Sequence, residues 1–202
     1  MSLKAIYAKN QSQPTNNSLL LNERLFKTYN RIAVRINGDE LRGVNVDLGS
    51  GDKGFSRHCE SIGIKSYPYD YPDFDIEKDT LPHRNDSVDF ITLNAVIEHI
   101  NNPSNILKES FRVLKGKGLI FIRTPNWKMD FKNFFNDPTH IKPYSPETLK
   151  NVLILFGFEV IFLEPGLVEK SWFWWRLPDI IKWRIASLIK GGTKSIICVG
   201  QK

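Results

Sequence analysis

Val46-Asp47-Leu48-Gly49-Ser50-Gly51-Asp52-Lys53-Gly54 is the stretch on which the fold turns. It begins inside a short apolar run, 44–48, that reads as a strand, and it ends in a glycine-rich turn. Beyond the turn Phe55, Cys59 and Ile62 recur at i, i+4 and i+7 before Gly63, the pattern of a helix closed by glycine. A strand, a glycine turn and a helix in succession bring backbone close to a ligand, because glycine lacks a Cβ and a helix N-terminus offers unpaired N–H groups. The spacing Gly49-x-Gly51-x-x-Gly54 also satisfies the dinucleotide fingerprint, with Asp70 at the right distance to hold ribose hydroxyls. The motif alone does not choose its ligand.

Working outward, Leu21, Leu25, Tyr29, Ile32, Ala33 and Ile36 predict an amphipathic helix from residue 19 to Gly38. Strands are expected at 64–69, 88–93, 118–123, 158–163 and 195–199, with helices at 104–114 and from Ser145-Pro146 to 156. Alternating strands and helices predict an α/β, doubly wound, mostly parallel sheet of about six strands that binds ligands at the strands' carboxyl ends. One connection is too short. Only Tyr71, Pro72 and Asp73 separate Asp70 from the triplet 74–76, and a parallel crossover needs a dozen residues. The usual crossover helix is therefore missing. Residues 74–80 are expected to run across the strand ends or to form a vestigial edge, and the stretch between strands two and four to hold at most a helix and that vestigial strand.

The chain has 202 residues, 41% hydrophobic and 25% charged, which suits a globular domain and excludes disordered and membrane-spanning classes. Residues 19–202 read as one domain behind a polar, disordered lead-in at 1–18, with no apolar signal segment. Cys59 and Cys198 lie in no metal-binding pattern, which fits a reducing cytoplasm. The net charge of +6 is uneven: 16 Lys+Arg face 15 Asp+Glu through residue 122, and 12 face 7 after it.

Asp47 tips the choice of ligand. A carboxylate two places before the first glycine is costly to bury unless it is used. It would repel a pyrophosphate, whereas the ammonium and sulfonium of S-adenosylmethionine give it a partner. No tyrosine is followed four places later by lysine, so the catalytic pair of short-chain dehydrogenases is missing and a nicotinamide-dependent oxidoreductase is disfavoured.

Here the chain resembles the class I S-adenosylmethionine-dependent methyltransferases, of a type 11/23-like kind acting on small molecules or sugars. Residues 46–54 resemble their first motif, and Asp70 the acid that ends their second strand. Asp86-Ser87-Val88-Asp89-Phe90-Ile91 looks like the entry to strand four, and Asn94-Ala95-Val96-Ile97-Glu98-His99-Ile100 like the Leu-Glu-His-Val segment after it. Arg112-Val113-Leu114-Lys115-Gly116-Lys117-Gly118 resembles the approach to strand five, and Phe156-Gly157-Phe158-Glu159-Val160 that to strand six. Lys53 departs from the pattern, standing where a third glycine is common.

The resemblance implies a Rossmann-like sheet with an antiparallel last strand. It implies S-adenosylmethionine against Gly49 and Gly51 at its methionine end, Asp70 on the ribose, and Glu77 on the adenine amino group, with Asp79 the runner-up. Asp47, Ser50, Lys78 and Asn94 complete the expected donor site. Methyl transfer from a sulfonium needs alignment and exclusion of water, and a base only where the acceptor is a hydroxyl. His140 is the better candidate, within Asp137-Pro138-Thr139-His140-Ile141-Lys142-Pro143-Tyr144, which resembles a segment after strand five in methyltransferases of sugars and small acceptors. His99, beside Glu98, is the second candidate, while His58 and His83 read as structural or solvated.

The expected activity is methyl transfer to oxygen of a small-molecule or sugar acceptor. The alternatives are donor binding without turnover and oxidoreduction. Nucleic acid is a poor fit, since the residues after the fourth strand lack an Asn/Asp-Pro-Pro-aromatic signature and the charge forms no run with stacking aromatics. Insertions on the acceptor side are expected at 124–144 and 164–192. The second holds Trp172, Trp174, Trp175 and Trp183 among basic residues, and reads as a lid or, over 172–190, as a weak contact with an anionic membrane surface.

Overall fold

The computed structural model describes residues 16–165, 181 and 194–202. Six strands, β1 (Val44–Leu48), β2 (Lys65–Tyr69), β3 (Val88–Asn94), β4 (Leu114–Pro125), β5 (Glu159–Pro165) and β6 (Ser195–Gln201), form one sheet in the order β2-β1-β3-β4-β6-β5. β1 to β4 pair in parallel, and β6 runs antiparallel to both β4 and β5. This is the α/β sheet with an antiparallel last strand that the sequence implied. The helices are α1 (Asn16–Asn37), α2 (Gly54–Ser61), α3 (Ser104–Val113), the short α4 (Trp127–Asp130) and α5 (Pro146–Leu155).

Strand parity sorts the core into two layers, since successive side chains point to opposite faces. Ile91, Leu93, Ile120, Ile122 and Cys198 pack with Ile106 and Leu107 of α3 and Leu149 and Leu153 of α5. Phe90, Phe121, Ile197 and Val199 face the other way, against Leu25, Tyr29 and Ile32 of α1 and Phe55 and Cys59 of α2. Phe121 stacks on Tyr29 with ring centroids 4.6 Å apart. Both cysteines are buried free thiols. α5 starts as its sequence predicts, with the Ser145 hydroxyl accepting from Thr148 N and Pro146 in the first turn.

Several boundaries move. α1 begins at Asn16, so the polar lead-in ends before residue 16, and β4 extends to Pro125, which leaves 126–144 as the first insertion. The second insertion lies outside the described residues except for 164, 165 and 181, and with it the lid and membrane-surface readings. No described helix is long and apolar enough to cross a membrane.

Neither a helix nor a vestigial strand forms between β2 and β3. Residues 70–87 are turns that run across the strand ends. Side chains of α3 replace the ladder that a strand would have supplied: Arg112 donates to the carbonyls of Leu81 and His83 and to Asn85 Oδ1, and Glu109 accepts from Leu81 N. Asn105 holds the carbonyls of Ile76 and Asp79. His83 meets the Tyr69 hydroxyl at 2.9 Å and His58 packs on Phe26, structural roles for both.

The same parity decides the place of Asp47. Its neighbours Val46 and Leu48 point to α3 and α5, so Asp47 points beneath α2, where it is 2% exposed. It accepts from Ser56 Oγ of α2 at 3.1 Å and from Thr92 Oγ1, its partner in register on β3, at 2.8 Å. Ser66 continues the network to Ser56 and Asn45.

Burial raises the Asp47 carboxyl from 3.8 to about 7, against the pull of the two hydroxyls. Between those values the folded chain holds a proton that the unfolded chain has released. The associated stability is therefore fully present below the unfolded value and is lost as pH rises through about 7. Asp47→Asn removes this titration. Its stability relative to the native chain, read from urea melts, should rise by at least about 1 kcal/mol between about pH 5 and about pH 8. A difference independent of pH would refute the assignment.

Candidate functional site

The glycine turn is shaped by three residues in left-handed backbone: Gly49 at φ +68°, Gly51 at +52° and Lys53 at +59°. Lys53 thus adopts the conformation that a third glycine would supply, at a cost of about 1–2 kcal/mol. At Gly54 a Cβ would lie 2.2 Å from Asn22 Nδ2 on α1, so a side chain there would have to displace the end of Asn22. Gly49 N and Ser50 N donate to the carbonyl of Tyr69, tying the turn to the end of β2. Asp70 completes the tie. Its two carboxylate oxygens accept from Gly51 N and Tyr71 N, each at 2.8 Å. Burial pushes the Asp70 carboxyl above its ordinary range, and the two N–H groups and nearby Lys53 oppose that push.

These residues wall a cleft of about 300 Å³ at the carboxyl ends of β1, β2 and β3. Gly49, Gly51 and Asp70 form one side, and the turns after β2 contribute Tyr71, Phe74, Asp75, Ile76 and Glu77. Ala95, at φ +55°, bends the chain after β3 so that Asn94 and Val96 also line it. Asn94 is held from below by the Tyr29 hydroxyl of α1. The far end is formed by His99, Ile100, Pro138, Thr139 and Ile141.

The expected donor residues divide. Gly49, Gly51, Asp70, Glu77 and Asn94 line the cleft. Asp47 does not, and the expectation that its carboxylate meets a ligand's cationic end is corrected: both oxygens are engaged by hydroxyls beneath α2. Ser50 stays out of the lining, its hydroxyl buried without a hydrogen-bond partner. Lys78 and Asp79 also turn away. Lys78 bonds Asp75, and Asp79 accepts from Asp75 N to close the turn. Asp75 and Tyr71 are cleft residues that sequence reasoning missed, and the crowding of five acids in ten residues at 70–79 hid Asp75. Glu77 accepts from Asn101 N at 2.9 Å, which ties it to the segment that follows His99 and Ile100.

The far end carries a polar cluster. Glu98 and His99 lie on the 3-10 turn Ile97–His99, and His140 on the insertion. The Glu98 carbonyl accepts from Ile141 N and Lys142 N, which pins the insertion to that turn. Glu98 itself is fully buried. Thr124 donates to its Oε2 at 2.9 Å, and burial raises the carboxyl to about 7. His99 Nδ1 meets the carbonyl and hydroxyl of Thr139, both at 3.0 Å. His140 Nδ1 meets the carbonyl of Phe134 at 2.6 Å, its ring 4.8 Å from that of His99. The sequence preferred His140 as the group facing an acceptor. The structure reverses that order, since His99 lines the cleft and His140 stands behind it.

The chain's own residues fit the donor that the resemblance implies. At Gly49 a Cβ would lie 2.3 Å from Val96 Cγ2, so the backbone there leaves open a cradle that any side chain would disturb. The half-buried Asp70 carboxylate, the apolar Phe74, Ile76 and Ile100, and the polar His99 and Thr139 suit a ligand with a ribose, a base and a reactive end.

A family model described as a methyltransferase domain matches residues 20–163. A probable S-adenosylmethionine-dependent methyltransferase of Mycobacterium tuberculosis is 33% identical over 81 residues, 39% of this chain and 29% of that protein. A second, from Mycolicibacterium smegmatis, is 32% identical over 110 residues, 49% of this chain and 42% of that protein. The chain thus matches less than half the length of these relatives. Among solved structures, a methyltransferase dependent on S-adenosylmethionine from Archaeoglobus fulgidus superposes with a TM-score of 0.65 at 22% identity, covering 100% of both chains. Phosphoethanolamine N-methyltransferase 2 of Haemonchus contortus, solved with S-adenosyl-L-methionine, gives 0.62 at 15% identity over 100% of this chain and 60% of that one. At these identities the likeness is one of fold.

Proposed function

The chain belongs to the methyltransferase-domain family, and from that premise we propose that it transfers a methyl group from S-adenosylmethionine to an oxygen of a small molecule or sugar. The observation that carries the reading is one cleft lined both by the glycine turn with Asp70 and by His99 with Thr139, with Glu98 and His140 grouped beside His99. When bound, S-adenosylmethionine supplies a methyl group already activated on a sulfonium. Gly49 and Gly51 hold the donor's amino-acid end by backbone approach. Asp70 accepts from the ribose hydroxyls, and its bonds to Gly51 N and Tyr71 N keep the carboxylate aimed while they stabilise its charge. Glu77 and Asp75 face the base, and Asn94 with Val96 forms the floor. His99 and Thr139 hold the acceptor's oxygen, and the cluster behind them promotes loss of its proton to water. The 126–144 insertion walls that end through Pro138, Thr139 and Ile141.

The experiment is a thermal-shift comparison of S-adenosylmethionine, S-adenosylhomocysteine and NAD, followed by transfer of labelled methyl to a panel of hydroxylated small molecules and sugars. A ligand of the folded state raises the melting point. Stabilisation by the first two is expected, and stabilisation by NAD alone would sink the reading. Donor binding with no transfer to any acceptor would instead favour a binding protein without turnover.

Asp70→Ala tests the donor end. Losing a charged hydrogen-bond acceptor costs on the order of 1.5–3 kcal/mol, so affinity for S-adenosylhomocysteine should fall about tenfold or more. Calorimetry on a folded variant with unchanged affinity would remove Asp70 from the donor site.

A further inference from the structure

We propose that Glu98, His99 and His140 bind one divalent first-row transition cation, of the zinc class, at the acceptor end of the cleft. Each of the three offers one ligand atom, and these atoms all lie within 4.8 Å of one another. Metal bonds of about 2.1 Å place ligand atoms roughly 3–4 Å apart, so a small torsional adjustment closes the set.

Three further features make this a built site. First, the histidine protons are already assigned: a carbonyl only accepts, so His99 and His140 carry their protons on Nδ1, toward Thr139 O and Phe134 O. In its neutral form each ring then turns an Nε2 lone pair away from that carbonyl, which is the usual arrangement of metal-binding imidazoles anchored through the other nitrogen. Secondly, Glu98 is fully buried, and while its Oε2 is held by Thr124, its Oε1 has no hydrogen-bond partner. Buried carboxylates are ordinarily paired with a cation or coordinate a metal. Thirdly, the hydroxyl of Tyr144, also buried and without a partner, lies close enough to Glu98 to feel its charge, and Asp137 Oδ2 stands 3.9 Å from His140 Nε2.

Two imidazoles and one carboxylate suit zinc, iron(II) or manganese(II) better than magnesium, which prefers oxygen ligands and retains its water. His99 borders the cleft, so the open coordination position faces the acceptor. This purpose rests on the acceptor-end reading above. An acceptor hydroxyl bound there is polarised by the cation, its O–H bond breaks with the proton passing to water, and the alkoxide remains on the metal with its lone pair toward the methyl group.

The test is calorimetric titration of the metal-stripped full chain with zinc, beside magnesium as a control. One zinc per chain is expected, with affinity at least hundredfold weaker in Glu98→Gln and in His140→Ala. Glu98→Gln leaves a buried amide and could misfold. His140 is less buried, so His140→Ala, with its fold checked by circular dichroism, keeps the proposal falsifiable. Cobalt(II) titration should give a low-coordinate ligand-field spectrum that His140→Ala abolishes. Equal zinc affinity in the native chain and folded His140→Ala would overturn the proposal, as would tighter binding of magnesium than zinc. S-adenosylhomocysteine binding, measured separately, keeps the two readings apart. Donor binding without zinc binding would remove the metal alone, and zinc binding without donor binding would remove the methyltransferase reading while leaving the site.

Discussion

Gly49→Ala should weaken binding of S-adenosylmethionine and S-adenosylhomocysteine by on the order of a hundredfold, about 2.7 kcal/mol. Two costs combine. Gly49 sits at φ +68°, a region that charges an L residue about 1–2 kcal/mol. The added Cβ would also stand 2.3 Å from Val96 Cγ2 and 2.8 Å from Cγ1, well inside the ordinary carbon contact of about 3.5–4.0 Å. Val96 is packed into the core layer that also holds Ile97 and Ile100, so relief of the overlap moves it into the cleft that it lines. The double variant Gly49→Ala, Val96→Ala relieves the overlap but keeps the backbone strain. It should recover about tenfold in affinity if the overlap accounts for half of the loss. Calorimetry showing native affinity in the single variant would mean that the donor does not approach this turn.

The second large effect is on turnover. His99→Ala should lower the rate of methyl transfer to a hydroxyl acceptor by about two orders of magnitude or more, the usual contribution of a group that helps remove a proton in the transition state. Donor affinity should stay within about threefold, because His99 stands at the far end of the cleft from Gly49, Gly51 and Asp70. Separating KM from kcat decides the matter. An equal loss of donor affinity would move His99 into the donor pocket, and native turnover would detach it from acceptor chemistry. His140→Ala should show the same direction of effect, since the His140 ring packs 4.8 Å from that of His99, behind the cleft lining.

The legible parts of this chain were those set by local spacing. The strands at 88–93 and 118–123 read from their apolar runs, and in the fold the pleat sends Phe90 and Phe121 to one layer and Ile91 and Ile122 to the other. Ser145-Pro146 marks a helix start through a side-chain cap and a missing N–H, both local effects. Asp70 was found from its distance after the glycine turn, because a strand, a turn and a helix of ordinary length bring the end of the next strand beside that turn. The acids at 70–79 were less legible. Which of them faces the cleft depends on turns strapped by Asn101, Asn105, Glu109 and Arg112, residues some 24 to 31 places away.

By itself, then, the sequence determined the α/β class, the antiparallel close of the sheet through resemblance, the glycine turn and the carboxylate beside it. All are properties of neighbouring residues or of fixed spacings. Only the tertiary structure decided the direction of Asp47. A buried carboxylate next to a glycine turn could face a ligand or a helix, and the pairing of Asp47 with Thr92 together with the Ser56 hydroxyl turned it to the helix. Only the tertiary structure joined Glu98 and His99 to His140, some 41 positions on, because that meeting depends on two backbone hydrogen bonds from the insertion to the Glu98 carbonyl. Long-range contacts of this kind arise from packing, which no local spacing encodes.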